Sequence, residues 1–139
     1  MEITLKTVED KDWDFILDLR NHKQIRKFMT SDKIISKNTH YTYLKNQKLN
    51  PKFLNRIIYF ENKRVGYVRI SGEDVSIFIH PNFQGKGIAT IALELIQPIA
   101  KNNGFVKLVG KVFPDNKQSE KIFLKNGFVH SLNWLEKFL

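Results

Sequence analysis

The residues best equipped for chemistry sit at one corner, Gln84-Gly85-Lys86-Gly87-Ile88-Ala89-Thr90, which takes two of the chain's seven glycines. The apolar run Val75-Ser76-Ile77-Phe78-Ile79 precedes it and an amphipathic pattern follows, so the corner joins a strand to a helix. A helix N-terminus presents unpaired backbone N–H groups and roughly half a positive charge, and glycine lets that backbone approach an anion closely. The corner therefore reads as a phosphate cradle with Lys86 as an added point charge, or as a tight connection that happens to use glycine. A Walker-type loop is excluded because its Lys-Ser/Thr pair is missing, and a dinucleotide fingerprint because its third glycine and acidic partner are absent.

The surrounding elements must position this corner. Ile3 to Val8 alternates apolar and polar residues, as a strand does. Trp13, Ile16, Leu17, Ile25 and Phe28 recur at helical spacing, with a break expected near Asn21-His22. A second short helix is expected over Ser36 to Gln47, with Ser36 or Asn38 as its cap. Two β-rich runs flank Glu61-Asn62-Lys63 as a hairpin, in which Gly66 marks a bulge or a close approach. Asp74 to Pro81 follows as a strand. After the corner, Ile88, Ile91, Ala92, Leu95, Ile96 and Ile99 give a helix one apolar face. Pro98 is expected to kink that helix or shorten its last turn, and Asn103-Gly104 to close it. A strand from Phe105 to Phe113, a short helix ending at Gly127 and terminal strand material complete the chain. The order β-α-α-β-β-β-α-β-α-β predicts one mixed α/β domain over residues 1–139.

At 139 residues the chain fits the size of a single domain and can bury a sizeable core. It has no cysteine, which excludes disulfides, thiolate metal sites and a cysteine nucleophile. The first ten residues include Glu2, Lys6, Glu9 and Asp10 and hold no apolar core, unlike a signal peptide, and no window approaches the roughly eighteen apolar residues of a membrane span. A cytoplasmic location with no membrane partner is expected. Lys and Arg outnumber Asp and Glu by 23 to 14, a formal charge of +9. The basic residues are scattered rather than gathered on one stripe, so the excess is either solvated surface or attraction for an anionic small molecule. No nucleic-acid partner is expected, because the aromatic residues fall at core-periodic positions.

Gln84-x-x-Gly87-x-Ala89 after an apolar strand resembles motif A of the GCN5-related N-acetyltransferases, which use acetyl-CoA. Further on, Asn116-x-x-Ser119-x-x-x-Phe123-x-x-x-Gly127-Phe128 resembles that superfamily's motif B. The two occur in order and at the usual separation, and the resemblance covers at least Ile57 to Phe128. It implies a single domain of that type, with a mixed, mostly antiparallel sheet flanked by helices. It also implies that backbone N–H groups at Gly85, Gly87, Ala89 and Thr90, within the cradle Gln84 to Thr90, hold the CoA pyrophosphate. The strand before the cradle would splay from its neighbour and admit the pantetheine arm. Backbone around Phe78, Ile79 and His80 would pair with that arm or with the acetyl carbonyl, and Asn116 and Ser119 would contact it. Motif B usually carries a tyrosine that protonates the leaving thiolate. Here the position is Phe123, which cannot donate a proton and is expected to pack against the cofactor. No metal is implied.

The implied reaction is acyl transfer from acetyl-CoA to an amine, which must lose a proton to a base. His40, His80, Glu73 and Asp74 are the candidates. His80 beside Pro81 could equally be a strand-end residue, and Glu73 and Asp74 after Gly72 could merely solvate a turn. The N-terminal segment with Arg20, Asn21, Ile25, Arg26, Met29, Ile35, His40 and Leu44 resembles a subgroup that acetylates amino sugars on nucleotides, as in pseudaminic acid synthesis for flagellin. That resemblance implies a sugar-nucleotide acceptor gripped by Arg20, Asn21 and Arg26 beside His40. The same Arg-Asn pattern occurs in acetyltransferases of ribosomal-protein N-termini. A small amine, a protein N-terminus or a CoA-binding module without catalysis therefore remain alternatives, and a homodimer is compatible with all of them.

Overall fold

The computed structural model describes residues 2–27, 33–131 and 134–139, so Phe28 and Met29 of the sequence reading lie outside the described residues. A seven-stranded sheet forms the frame, with strand order β1-β2-β3-β4-β5-β7-β6. Its strands are β1 (Ile3–Thr7), β2 (Phe53–Phe60), β3 (Lys63–Ser71), β4 (Asp74–Ile79), β5 (Lys107–Gly110), β6 (Val129–Ser131) and β7 (Trp134–Phe138). All neighbours run antiparallel except β4 and β5. The terminal strand material thus folds as two strands. The helices are α1 (Trp13–Asn21), α2 (Lys23–Arg26), α3 (Lys37–Gln47), α4 (Ile88–Asn102) and α5 (Lys117–Lys125).

Two apolar clusters sandwich the sheet. On one face Trp13, Ile16, Leu19, Ile25 and Leu44 from the first three helices pack on Ile57, Tyr67 and Phe78. On the other, Leu93, Ile96 and Ala100 of α4 pack on strand residues including Val68, Ile70 and Val75. The alternation of side chains along β3 and β4 feeds both clusters, as a strand buried on two sides requires. Ser36 caps α3 by accepting the Thr39 N–H, whereas Asn38 lies inside the helix. The break expected near Asn21-His22 is present: His22 ends α1 and caps α2 through its ring, which accepts the Gln24 N–H.

Pro98 does not shorten α4, which continues to Asn102. A proline removes one helical rung, and the buried stripe on both sides of it (Leu93 and Ile96 before, Ala100 after) keeps the last turn on the sheet.

Two close approaches shape the centre of the sheet. The β2–β3 register shifts between Ile58 and Tyr59, opposite Val65, so the bulge sits beside Gly66. A Cβ at Gly66 would stand 2.5 Å from the Phe78 carbonyl oxygen, so Gly66 also serves the close approach. At the end of β5, a Cβ on Gly110 would fall on the ring of Phe123. Gly110→Ala should therefore cost about 1–3 kcal/mol by overpacking, read as a lower urea midpoint. Adding Phe123→Leu should recover part of the loss, because it removes the ring that the new methyl meets.

Candidate active site

β4 and β5 are joined by a single bridge, Asp74 to Val109, in which the Val109 N–H donates to the Glu73 carbonyl at 2.7 Å. Beyond that point they part. On its other side β4 stays paired with β3 through Ile79, and the His80 N–H reaches the Val65 carbonyl at 2.8 Å. Antiparallel alternation then aims the backbone of Ser76, Phe78 and His80 at β3, and that of Ile77 and Ile79 into the gap. The backbone positions expected at Phe78, Ile79 and His80 thus divide: Ile79 faces the gap, with Ile77 as its companion, while Phe78 and His80 are committed to β3.

A cavity of about 490 Å³ occupies this gap and runs to the glycine corner. Such a volume suits a small-molecule site. Gly85 and Gly87 hold φ of 78° and 80°, a left-handed conformation that side-chain-bearing residues rarely adopt. Gly87 caps α4 without any side-chain cap, and the first helical bond runs from Ile91 N–H to the Gly87 carbonyl. The N–H groups of Ile88, Ala89 and Thr90 consequently have no acceptor among the described residues, and they meet at the positive end of a fifteen-residue helix. Gln84 donates its side-chain amide to the Ile79 carbonyl at 3.0 Å, which staples the corner to the end of β4. Lys86 is exposed and outside the cavity wall; Lys121 and Lys125 of α5 bring positive charge to it instead.

Motif B forms the opposite wall. Asn116 caps α5 by accepting the Ser119 N–H at 3.2 Å, and both residues line the cavity. Phe123 is buried, packs edge-on against Phe128 with ring centroids 5.0 Å apart, and also lines the cavity. Its ring is an apolar wall with no proton to give.

The proton-moving candidates separate in the structure. His40 is only 1% exposed and does not line the cavity; its Nε2 bonds the Trp13 carbonyl at 2.9 Å and its Nδ1 is buried without a partner. Burial, above all, holds its pKa below the ordinary 6.5, with the Trp13 carbonyl opposing and the Arg20 charge adding to the effect. A folded-state pKa below the unfolded one means that stability is intact above pH 6.5 and is lost as pH falls below it. His40→Gln should therefore flatten the acid side of the stability profile, measured as urea midpoints between pH 4 and 7. His80 spends its Nδ1 on the Asn82 N–H at 3.1 Å, stands 5.7 Å from the His22 ring, and is likewise absent from the cavity wall. Glu73 is exposed and faces Lys107 at 3.9 Å.

Asp74 is the carboxylate in the cavity wall. It is half-buried at the vertex of the gap, with Lys111 Nζ 3.9 Å away. Burial raises its pKa above the usual carboxylate value, against the opposing charges of Lys111 and Arg69. Beside it on the same face of the sheet lie Ser76 and Arg69, paired across β4 and β3, and over them the α1–α2 corner contributes Gln24 and Ile25. Of these, Ile25 belongs to the N-terminal segment singled out from the sequence, whereas Gln24, Arg69 and Ser76 were not. The available signal was polar residues, Arg69 and Ser76, at positions where the alternation of β3 and β4 demands apolar ones.

Of the residues expected to grip the acceptor, none lines the cavity. Asn21 uses both ends of its amide on the backbone of Ile35, at 2.8 Å each, and so straps α1 to the segment before α3. Arg26 Nε donates to the Asn21 carbonyl at 2.9 Å. Arg20 is largely buried, and its Nε has no partner among the described residues. Among the described residues there is no cluster of three or more His, Asp or Glu that could hold a metal ion, and no helix long and apolar enough to cross a membrane.

Known proteins share this architecture. The spermidine N-acetyltransferase of Vibrio cholerae, solved with CoA and spermine, superposes with a TM-score of 0.89 at 16% identity, over 98% of this chain and 95% of that one. A domain from Methanocaldococcus jannaschii gives 0.86 at 23% identity, over 99% of both chains. These likenesses show the fold. In sequence, 55 residues are 40% identical to YwnH of Bacillus subtilis, whose name places it with the phosphinothricin acetyltransferases; they make up 40% of this chain and 34% of that protein, about a third of its length. Residues 14–128, most of the chain and both glycine-bearing motifs, match the acetyltransferase (GNAT) family model. The chain belongs to the acetyltransferase (GNAT) family.

Proposed function

We propose that the chain is an acetyl-CoA-dependent N-acetyltransferase acting on a small primary amine. The observation that carries this reading is the parting of β4 from β5 after one bridge, with the gap leading to three unpartnered N–H groups at the start of α4. A pantetheine arm needs backbone partners on one side, which Ile77 and the Ile79 N–H offer; the Ile79 carbonyl already accepts from Gln84. A pyrophosphate needs preorganised donors and positive charge, which the α4 N-terminus supplies and Lys121 and Lys125 reinforce. That the Vibrio cholerae relative was solved with CoA supports the same assignment.

Acetyl-CoA supplies an activated acyl carbon; the acceptor nitrogen bonds to it as the C–S bond breaks, the nitrogen giving up one proton and the thiolate taking one. Asp74 is suited to receive the nitrogen's proton, directly or through water, because it lies in the wall and burial has made it more basic. An N–H at Ile77 or Ile79 faces the gap as a donor to the developing oxyanion. Phe123 offers no acid, and the thiolate, with an ordinary thiol pKa of about 8.5, can leave and take its proton from water.

The amino-sugar-nucleotide acceptor rested on Arg20, Asn21, Arg26 and His40. Two of these side chains, Asn21 and His40, are spent on backbone bonds away from the cavity, Arg26 Nε is held by the Asn21 carbonyl, and Arg20 Nε has no partner among the described residues. The acceptor proposed here is accordingly a compact amine entering between α2 and the face bearing Asp74. Thiol release from acetyl-CoA, followed with each member of an amine panel, tests the activity. Amine-dependent release with recovery of the N-acetyl product is expected; release that no amine accelerates would contradict it.

A further inference from the structure

Arg69 and Arg20 are two like charges that no carboxylate among the described residues pairs with. Arg69 projects from β3 into the cavity wall beside Ser76 and lies over the ring of Phe78, 5.6 Å from its centroid. Arg20 of α1 is near enough to feel the charge of Arg69. Its Nε is buried without a partner among the described residues, and its pKa is drawn down from the ordinary guanidinium value to about 10, first by burial and then by the charge of Arg69. Among the described residues no carboxylate lies within 4.0 Å of either guanidinium; the nearby Asp74 faces Lys111 instead. Two guanidiniums whose charges oppose each other, one of them largely buried, lose hydration with no compensating carboxylate among the described residues. Such an arrangement is complementary to an oxyanion brought by a ligand, because a planar guanidinium binds carboxylate or phospho-oxygens through paired hydrogen bonds. The Ser76 hydroxyl, which has no partner among the described residues, adds a further donor on the same face.

Building on the acetyltransferase reading, we propose that the acceptor carries an oxyanion a few bonds from its amine, with the oxyanion held by Arg69, backed by Arg20 and Ser76, and the amine turned toward Asp74. The cavity wall then matches a zwitterion end to end, positive at Arg69 and negative at Asp74 at the vertex of the gap. A polyamine or aminoglycoside, cationic throughout, meets Arg69 unfavourably. A carboxylate and a phosphonate share the recognised chemistry, and matched substrates distinguish them.

The test measures kcat/KM with acetyl-CoA for two pairs: an α-amino acid against its carboxamide, and an aminoalkylphosphonate against its neutral diester, with spermidine as the purely cationic arm. At least about a tenfold preference for the charged member of one pair is expected, as a charge-assisted contact gives. That pair names the oxyanion. Arg69→Gln should reduce the preference to near unity, and Arg69→Lys should restore part of it. Stabilisation by acetyl-CoA is measured in parallel on every variant. A protein stabilised by acetyl-CoA that prefers spermidine or the neutral members, acetylates no oxyanion-bearing amine, or keeps its preference after Arg69→Gln overturns the inference while leaving the acetyltransferase reading standing. Failure of the wild type to bind acetyl-CoA removes that reading, and the inference with it.

Discussion

In the Gly87→Glu protein, acetyl-CoA is expected to produce no thermal stabilisation, whereas the parent chain should gain about 2.7 kcal/mol at a hundred times the dissociation constant. For a domain of this size that is a rise of several degrees. Two effects combine in the variant. Gly87 holds φ of 80°, where a side chain costs about 1–2 kcal/mol. The strain lowers the melting temperature without abolishing the fold, since a Cβ there meets nothing within 4 Å. The new carboxylate also sits at the positive end of α4, where it takes the N–H groups assigned to the pyrophosphate and repels the phosphates. Gly87→Asn separates the two effects. Asparagine tolerates the left-handed region and carries no charge, so this variant should keep most of the acetyl-CoA response. Equal loss in both variants would assign the corner to backbone conformation rather than to anion binding.

Asp74→Asn should lower kcat/KM by about 10²–10⁴, the usual contribution of a positioned general base. Its second consequence runs the other way. Because burial raises the folded-state pKa above the ordinary 3.8, the folded chain holds its proton more tightly than the unfolded one. The sign of the linkage follows: stability falls as pH rises from the unfolded pKa to the raised folded one. Asparagine has no proton to lose, so the variant should lack this fall and be at least as stable as the parent at neutral pH. The acid limb of the pH–rate profile should vanish with it. Retained activity together with a retained acid limb would move the base to another group. Loss of activity with loss of stability would make Asp74 structural.

Local signals carried much of the fold. The glycine corner, the hairpin around Glu61-Asn62-Lys63, the Ser36 cap and the break at His22 were legible because each depends on residues within a few positions of one another. The resemblance to motifs A and B implied the splay of β4 from β5, which a single bridge now defines. What was not legible depends on distant partners. Asn21 meets Ile35, and His40 meets Trp13, 27 positions away. No periodicity announces that a polar residue is spent on a remote carbonyl. The burial of His40 and the bonding of Asn21 to the Ile35 backbone are therefore visible only in the folded chain. Of the two outcomes expected at Pro98, the shortened last turn does not occur, because the packing of α4 across the sheet outweighs a local propensity. Arg69 and Ser76 were missed although their polarity on two-sided strands was visible, because strand register, not sequence, puts them beside Asp74.

The most direct measurement is residue-resolved amide hydrogen exchange of the chain with and without CoA. In the free protein the amides of Ile88, Ala89 and Thr90 have no acceptor among the described residues and those of Ile77 and Ile79 face the open gap, so they should exchange readily, while His80, bonded to Val65, is already protected. With CoA bound, the first-turn amides of α4 and the gap-facing amides of β4 should slow together, and His80 should change little. Protection appearing elsewhere, or a CoA complex in which Ile88 to Thr90 exchange as fast as in the free chain, would contradict the account.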